Sequence, residues 1–382
     1  MDLLPANRTT SEMHLAPRFS VAPMVGVTTR PHRFFTRLLS RHTTLYTEMI
    51  VAESIVHGKQ ELVDEFLDPC ADGPVVLQIA GRNPENVAIA VQKAQNRGFS
   101  EINLNCGCPS KRAAVSGEFG LAMMKEPELV VEVLKAAKRV SQVPITVKCR
   151  LGVDKLDSYE YVRDFVGTVL SAGAERVSVH ARKGILGLDT KANRSVPPLK
   201  YEWVYRICEE FPEAKFDLNG GVITLKDAKD RLAESSHRLD GIMMGRGIWR
   251  DPLILADIDR EWFHKDVGGL PETRRELLET FCKEFDGRAD DFPVFTCSEA
   301  LQGLFMGTPG AKAFRRAIAK QRKGDSLGEV LNRVFEEVSP EVLDEPIRGR
   351  NRVAVTEAGG IGPGALSDEC RVSEDPTEAC NM

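Results

Sequence analysis

Eight short apolar runs alternate with amphipathic segments over roughly the first 250 residues, and this alternation narrows the possible folds more than any other feature. The runs are FSVAPM (19–24), LYTEMI (45–50), VVLQIA (75–80), EINLN (101–105), ITVKCR (145–150), RVSVHA (176–181), KFDLNGG (215–221) and GIMMGR (241–246). Between them, stretches such as PENVAIAVQKAQNRG and EPELVVEVLKAAKRV carry apolar residues three and four apart and close on basic residues or Gly, as helices do. Eight strand-helix alternations in roughly 240 residues are the count and length of a (β/α)8 TIM barrel. An open doubly wound α/β sheet competes with it. That alternative is weakened because no G-x-G-x-x-G follows the first strand and because polar residues end nearly all eight runs.

After about Asp251 only helical patterns remain: ETRRELLETFCKEF, SEALQGLFMG, TPGAKAFRRAIAKQRK and SLGEVLNRVFEEV. Thr308 and Pro309 resemble an N-cap followed by the favoured first helical residue. The expected organisation is a barrel over 18–255 and a small all-α helical domain over 256–345. Residues 1–17 and 346–382 are expected to be disordered, because little in them can be buried to offset the entropy of ordering.

No run approaches the roughly 18 to 20 apolar residues of a membrane-spanning helix. The N-terminus has acids at Asp2 and Glu12 and no apolar core of signal-peptide length, so secretion is not expected; a cytoplasmic address is the default and an organellar one stays open. The nine cysteines show no framework spacing, which suggests a reducing compartment. Cys106-x-Cys108 is too tight for a metal knuckle and has no second pair, so no metal is expected. The sequence leaves oligomeric state open, with a monomer the default. A net charge of −5 does not favour nucleic acid, but Gly310–Lys323 holds six basic residues and no acid.

In barrels of this kind chemistry sits where strands end and loops begin. The strand ends supply Met24, Gln78, Asn105, Lys148 with Arg150, His180 with Arg182, Asn219-Gly220-Gly221, and Gly245-Arg246. Gly220-Gly221 and Gly245-Arg246 suit a phosphate, because exposed N–H groups and a guanidinium can converge on an anion. Gln78 suits a planar heterocycle, and Lys148 can hold negative charge near its reducible edge. The set fits FMN. Taken singly, Gly-Gly is usually a tight turn, His180 a packing residue, and Gln78 uninformative; their shared position carries the weight.

NLNCGCPSKR (103–112) is placed by the same logic. Asn105 ends the fourth strand, Gly107 permits a sharp turn, Pro109 stiffens the exit, and Cys108 is presented over the mouth. Cys106 has no comparable device and is assigned to packing. A buried, inert thiol is the commoner fate of a cysteine; the flanking Gly and Pro favour chemistry for Cys108.

VAPM, LQIAG, NLNCGCPS, TVKCRLG, VHARKG, NGG and GR, in this order, resemble the tRNA-dihydrouridine synthases. RFSVAPM, TLYTEMI, HARKGILGLDTKANRSVPPL and LFMGTPGAKAFRRAIA look like the DusA-like branch, and the resemblance covers about residues 18 to 335. It implies a flavoenzyme that reduces a uridine of the tRNA D loop to dihydrouridine with electrons from NADPH. By the same resemblance FMN is held by Pro23, Met24, Val25, Gln78, Lys148, His180, Asn219, Gly220, Gly221, Gly245 and Arg246. Cys108 falls on the catalytic cysteine and Asn105 on the asparagine beside the substrate base. Hydride from the flavin adds at uracil C6, and a thiol that stays protonated can deliver the proton to C5 as general acid.

The base must be extruded to reach such a pocket, and the rest of the tRNA then needs a broad basic surface. Lys312, Arg316, Lys320 and Lys323 fall on one helical face with Arg315 and Arg322 beside them, although a charge run is ordinarily a solvated face. Lys183, Lys191 and Arg194 after strand six, and Arg112 after Cys108, extend that surface; Arg150 and Arg182 complete the candidates for tRNA contact. The family fit suggests that KRAAVSGEFG acts as a mobile lid. Thr29 and Gly26-Val27 depart from the family's usual first loop. Two other readings remain: an FMN barrel acting on a small molecule, for which a basic helix is needless, and an RNA-binding protein without chemistry, against which Cys108 and the flavin set argue.

Overall fold

The computed structural model describes residues 16–110 and 119–349. Arg112, nearly all of the expected lid, residues 1–15 and residues 350–382 lie outside them. The eight strands are β1 (Arg18–Val21), β2 (Thr44–Val51), β3 (Val75–Ala80), β4 (Glu101–Cys106), β5 (Ile145–Arg150), β6 (Val177–His180), β7 (Phe216–Asn219) and β8 (Gly241–Met244). Every neighbouring pair is parallel, and β1 pairs with β8 to close the barrel. Each expected run thus forms a strand, within a few residues at its ends.

The runs read as continuous apolar stretches because both faces are covered. In β5, Val147 and Cys149 are buried in the main core, while Thr146 and Lys148 alternate onto the other face. Ala22, Tyr46, Val76 and Met243 form a separate small cluster. The crossover helices begin where their caps dictate. Asn83 accepts from the backbone N–H groups of Glu85 and Asn86 ahead of Pro84–Ala94, and Thr224 with Asp227 forms a capping box on Leu225–Glu234.

Beyond the barrel lie helices Arg274–Phe285, Val294–Ala300, Ala311–Ala319, Leu327–Glu337 and Pro340–Leu343. They dock on helix Arg30–Arg37 through aromatic contacts, Phe34 meeting Phe285 edge-on at 5.3 Å and Phe35 meeting Phe281 at 6.2 Å. Phe281 and Phe285 are fully buried, each contributing about 2–3 kcal/mol on the apolar-transfer scale.

Three local expectations differ from the structure. The helix expected to start at Pro309 starts at Ala311, and the Thr308 hydroxyl donates to the Phe305 carbonyl instead of capping. The ordered chain extends past the expected tail boundary at 346. Ile347 is buried and donates to the Glu272 carbonyl, and Arg348 bonds the carbonyls of Leu38, Leu39 and Pro271. At the other end Pro17 is held by the Trp262 indole, which donates to its carbonyl at 2.6 Å. At both chain ends the partner is distant in sequence, so local composition carries no sign of it.

Candidate active site

Cross-strand register sets the polar strand ends side by side: Gln78 opposite Asn103, Asn105 opposite Lys148, Arg150 opposite His180, and His180 opposite Asn219. The ring expected from sequence therefore exists at the C-terminal mouth, and its members bind one another selectively.

Gln78 is buried, donating to Asn103 Oδ1 and accepting from Asn105 Nδ2, both at 2.8 Å. One N–H of its amide remains for a ligand. The freed carbonyl of Asn105 accepts the backbone N–H of Gly107 at 3.0 Å and of Cys108 at 2.9 Å. Arg150 completes the grip, its guanidinium donating to the carbonyls of Gly107, Lys183 and Asn193. The Cys108 carbonyl accepts from Leu121 at 2.9 Å. Gly120, at φ +65°, permits that approach, since a Cβ there would stand 2.8 Å from the same oxygen. Cys108 is half-buried at the end of this framework, within electrostatic reach of Lys148, Arg150 and Arg194. Cys106, two residues away, is fully buried in packing.

The Lys148 ammonium forms no hydrogen bond or ion pair with any described residue. Burial, then the Arg150 charge, lowers its ammonium to about 8. His180 is buried, and its Nδ1 has no partner among the described residues. Burial and the surrounding charges of Arg150, Lys148, Arg182 and Arg246 hold the ring well below its ordinary value, so it is neutral. Asn219 donates to the Met243 carbonyl. Gly220 (φ +102°) lies flat against His180, where a Cβ would come within 3.0 Å of the ring, and Tyr201 holds its carbonyl at 2.8 Å. A Cβ on Gly221 would collide with that Tyr201 hydroxyl. Gly245 packs near Met24. Arg246 forms no ion pair among the described residues, and the charges acting on it, from Arg194, Arg250 and Arg182, are all positive. Uncompensated guanidinium charge beside a glycine turn suits an anion.

In the first loop the Met24 carbonyl accepts from Val27 and Thr28, while Pro23 is half-buried and Val25 is 60% exposed. Glu48 fixes this loop by accepting the Gly26 N–H at 2.6 Å.

The basic candidates separate into two groups. Arg150 is buried and occupied by three carbonyls, so it serves the Cys108 loop and is not placed at a surface for tRNA. Arg182 bonds the Pro197 carbonyl, and Lys183 pairs with Asp157 at 2.7 Å. Arg316 and Lys320 both pair with Glu337, at 2.6 and 2.7 Å. Lys191, Lys312 and Arg315 are exposed, and Arg194 is half-buried. Sequence reasoning missed Asn103, Glu48 and Tyr201. Asn103 had a usable signal, standing two residues before Asn105 and so on the same strand face.

Among the described residues no cluster of His, Cys, Asp or Glu could hold a metal ion, and no helix is long and apolar enough to cross a membrane. The family model described as dihydrouridine synthase matches residues 20–339. Three relatives carry the name tRNA-dihydrouridine(20/20a) synthase. That of Yersinia pestis is 39% identical over 335 residues, covering 87% of this chain and 94% of the relative. That of Synechocystis sp. is 40% identical over 316 residues, covering 82% and 91%. That of Escherichia coli K12 is 39% identical over 313 residues, covering 81% and 88%. With a family match across most of the chain and relatives of this identity spanned nearly end to end, the chain belongs to the dihydrouridine synthase family.

Proposed function

We propose that this chain reduces a uridine of the tRNA D loop, at position 20 or 20a, to 5,6-dihydrouridine. The observation that carries the reading is Cys108, gripped at the end of β4, at the same barrel mouth as a cation cluster after β6 and β8 in which Arg246 forms no ion pair among the described residues.

The residues fit flavin mononucleotide. Arg246, Arg182 and Arg194 with the Gly220-Gly221 turn would hold its phosphate. The Lys148 ammonium, His180 Nδ1 and the remaining N–H of Gln78 have no partner among the described residues and would meet its polar edge. When bound and reduced by NADPH, that cofactor supplies the hydride that adds to uracil C6.

The chain's own part is to bind, orient and protonate. The C6 addition leaves an enolate whose C5 needs a proton, and the Cys108 thiol holds one. Asn105 fixes the backbone that carries this thiol. A D-loop base reaches the mouth only after extrusion from its stack, and Lys191, Lys312 and Arg315 offer exposed cations for the remaining tRNA phosphates.

The test is incubation of tRNA lacking dihydrouridine with the protein, FMN and NADPH, followed by mass-spectrometric mapping. Dihydrouridine should appear at 20 or 20a, and Cys108→Ala should lower turnover by roughly 10²- to 10⁴-fold while flavin and tRNA still bind. Absence of the product with wild-type protein would refute the activity; near-normal turnover of Cys108→Ala would remove the proton-donor role.

A further inference from the structure

The grip on Cys108 does not end at Asn105. Asn105 donates to Gln78 Oε1, and Gln78 donates to Asn103 Oδ1, both at 2.8 Å. Asn103 donates to Thr146 Oγ1 at 2.9 Å, and Thr146 donates to Glu101 Oε1 at 2.6 Å. The second carboxylate oxygen of Glu101 pairs with Arg18 at 2.7 Å near the opposite end of the barrel. All five residues from Glu101 to Asn105 along this chain are buried, with Asn103 wholly inaccessible and Thr146 at 1%.

The direction of every bond is consistent from both ends, since the backbone N–H groups of Gly107 and Cys108 at the mouth can only donate. The Glu101 carboxylate, ion-paired with Arg18, accepts, so Thr146 gives its single proton to Glu101 and accepts from Asn103. Asn103, having donated, turns its carbonyl to Gln78, and Gln78 turns its carbonyl to Asn105. Asn105 is then obliged to present its carbonyl to Gly107 and Cys108. Reversing any one amide would set two N–H groups or two carbonyl oxygens against each other in a buried site, at the cost of an unmade hydrogen bond.

We propose that Thr146 and Asn103 are positioning residues for Cys108: the chain running from Glu101 fixes the amide orientation of Asn105 and so the aim of the thiol at the mouth. Neither residue touches that thiol. The proposal rests on the reading of Cys108 as proton donor, so the experiment separates the two.

Thr146→Val keeps the side-chain shape and removes the hydroxyl; Thr146→Ser keeps the hydroxyl. In the flavin-loaded full chain, Thr146→Val should lower kcat roughly ten- to a hundredfold with KM for tRNA within about twofold, as expected of lost alignment, and Thr146→Ser should recover most of it. Iodoacetamide labelling, followed by peptide mass spectrometry, should modify Cys108 faster in Thr146→Val than in wild type. Wild-type kcat and labelling in Thr146→Val, or equal losses in both variants, would overturn the proposal. Should the valine variant fail to fold, Asn103→Leu breaks the same chain one link nearer the mouth and is judged by the same outcomes. Cys108→Ala is assayed alongside. If that variant alone retains turnover, the proton-donor reading falls, and the labelling rate still decides the chain's role.

Discussion

The side-chain carbonyl of Asn105 accepts the backbone N–H of Cys108 at 2.9 Å, while its amide nitrogen reaches back to Gln78. A residue that sequence reasoning set beside the substrate base is therefore also the mount of the thiol. Asn105→Ala leaves two N–H groups and the Gln78 carbonyl without their partner. Loss of about 1–3 kcal/mol of stability is expected from denaturant unfolding. A fall in kcat larger than that in tRNA affinity should accompany it, and unchanged kcat would show that the loop holds its shape unaided.

Gly220 tests the proposed cofactor site without touching a charge. Its φ of +102° suits only glycine, and a Cβ would stand 3.0 Å from His180 Cε1 and 3.1 Å from Nε2. Gly220→Ala should displace the ring and cost about 1–3 kcal/mol in backbone strain. The purified variant should carry far less flavin than wild type by absorbance. Full flavin content would mean that the turn is not part of the cofactor site.

Lys148 gives the site a pH dependence of definite sign. Its value near 8 lies below that of an exposed lysine. Between pH 8 and about 10.4 the unfolded chain holds more protons on this group than the folded one, so its contribution to stability rises with pH across that window. Binding responds oppositely, because an anionic or electron-rich ligand wants the ammonium. FMN affinity, followed by fluorescence titration, should be level below pH 8 and fall above it, and Lys148→Met should abolish the inflection. A wild-type titration flat to pH 9.5 would contradict the assignment.

These relationships were legible in the sequence to different depths. The strands could be read because each is a short apolar run buried on both faces, and Cys108 stood out through the Gly and Pro around it. Arg150 could not be placed, since an arginine ending a strand looks alike whether it meets a phosphate or three carbonyls, two of them 43 residues away. The basic run of 310–323 was legible only in part. It contains no acid, yet Glu337 from the next helix answers two of its charges. Helix Ala311–Ala319 also ends before Lys323, so the expected four-residue stripe is broken. Pairing between elements is a property of packing and leaves no local signature.

Glu337 consequently offers a test of whether this helix faces tRNA. Its carboxylate lies between Arg316 and Lys320, which hold it below the usual range. Glu337→Gln would release both cations while keeping the side-chain shape. If the helix lies on the tRNA backbone, the variant should bind tRNA more tightly at low salt, and the slope of log affinity against log salt should steepen by up to about one to two phosphate contacts. Lys312→Ala and Arg315→Ala should shift both quantities the other way, each by about one contact, because these exposed side chains pair with no acid among the described residues. Filter binding across a salt series measures both. Equal slopes for wild type, Glu337→Gln and the two alanine variants would place the tRNA elsewhere on the molecule and leave this helix a solvated, internally neutralised face.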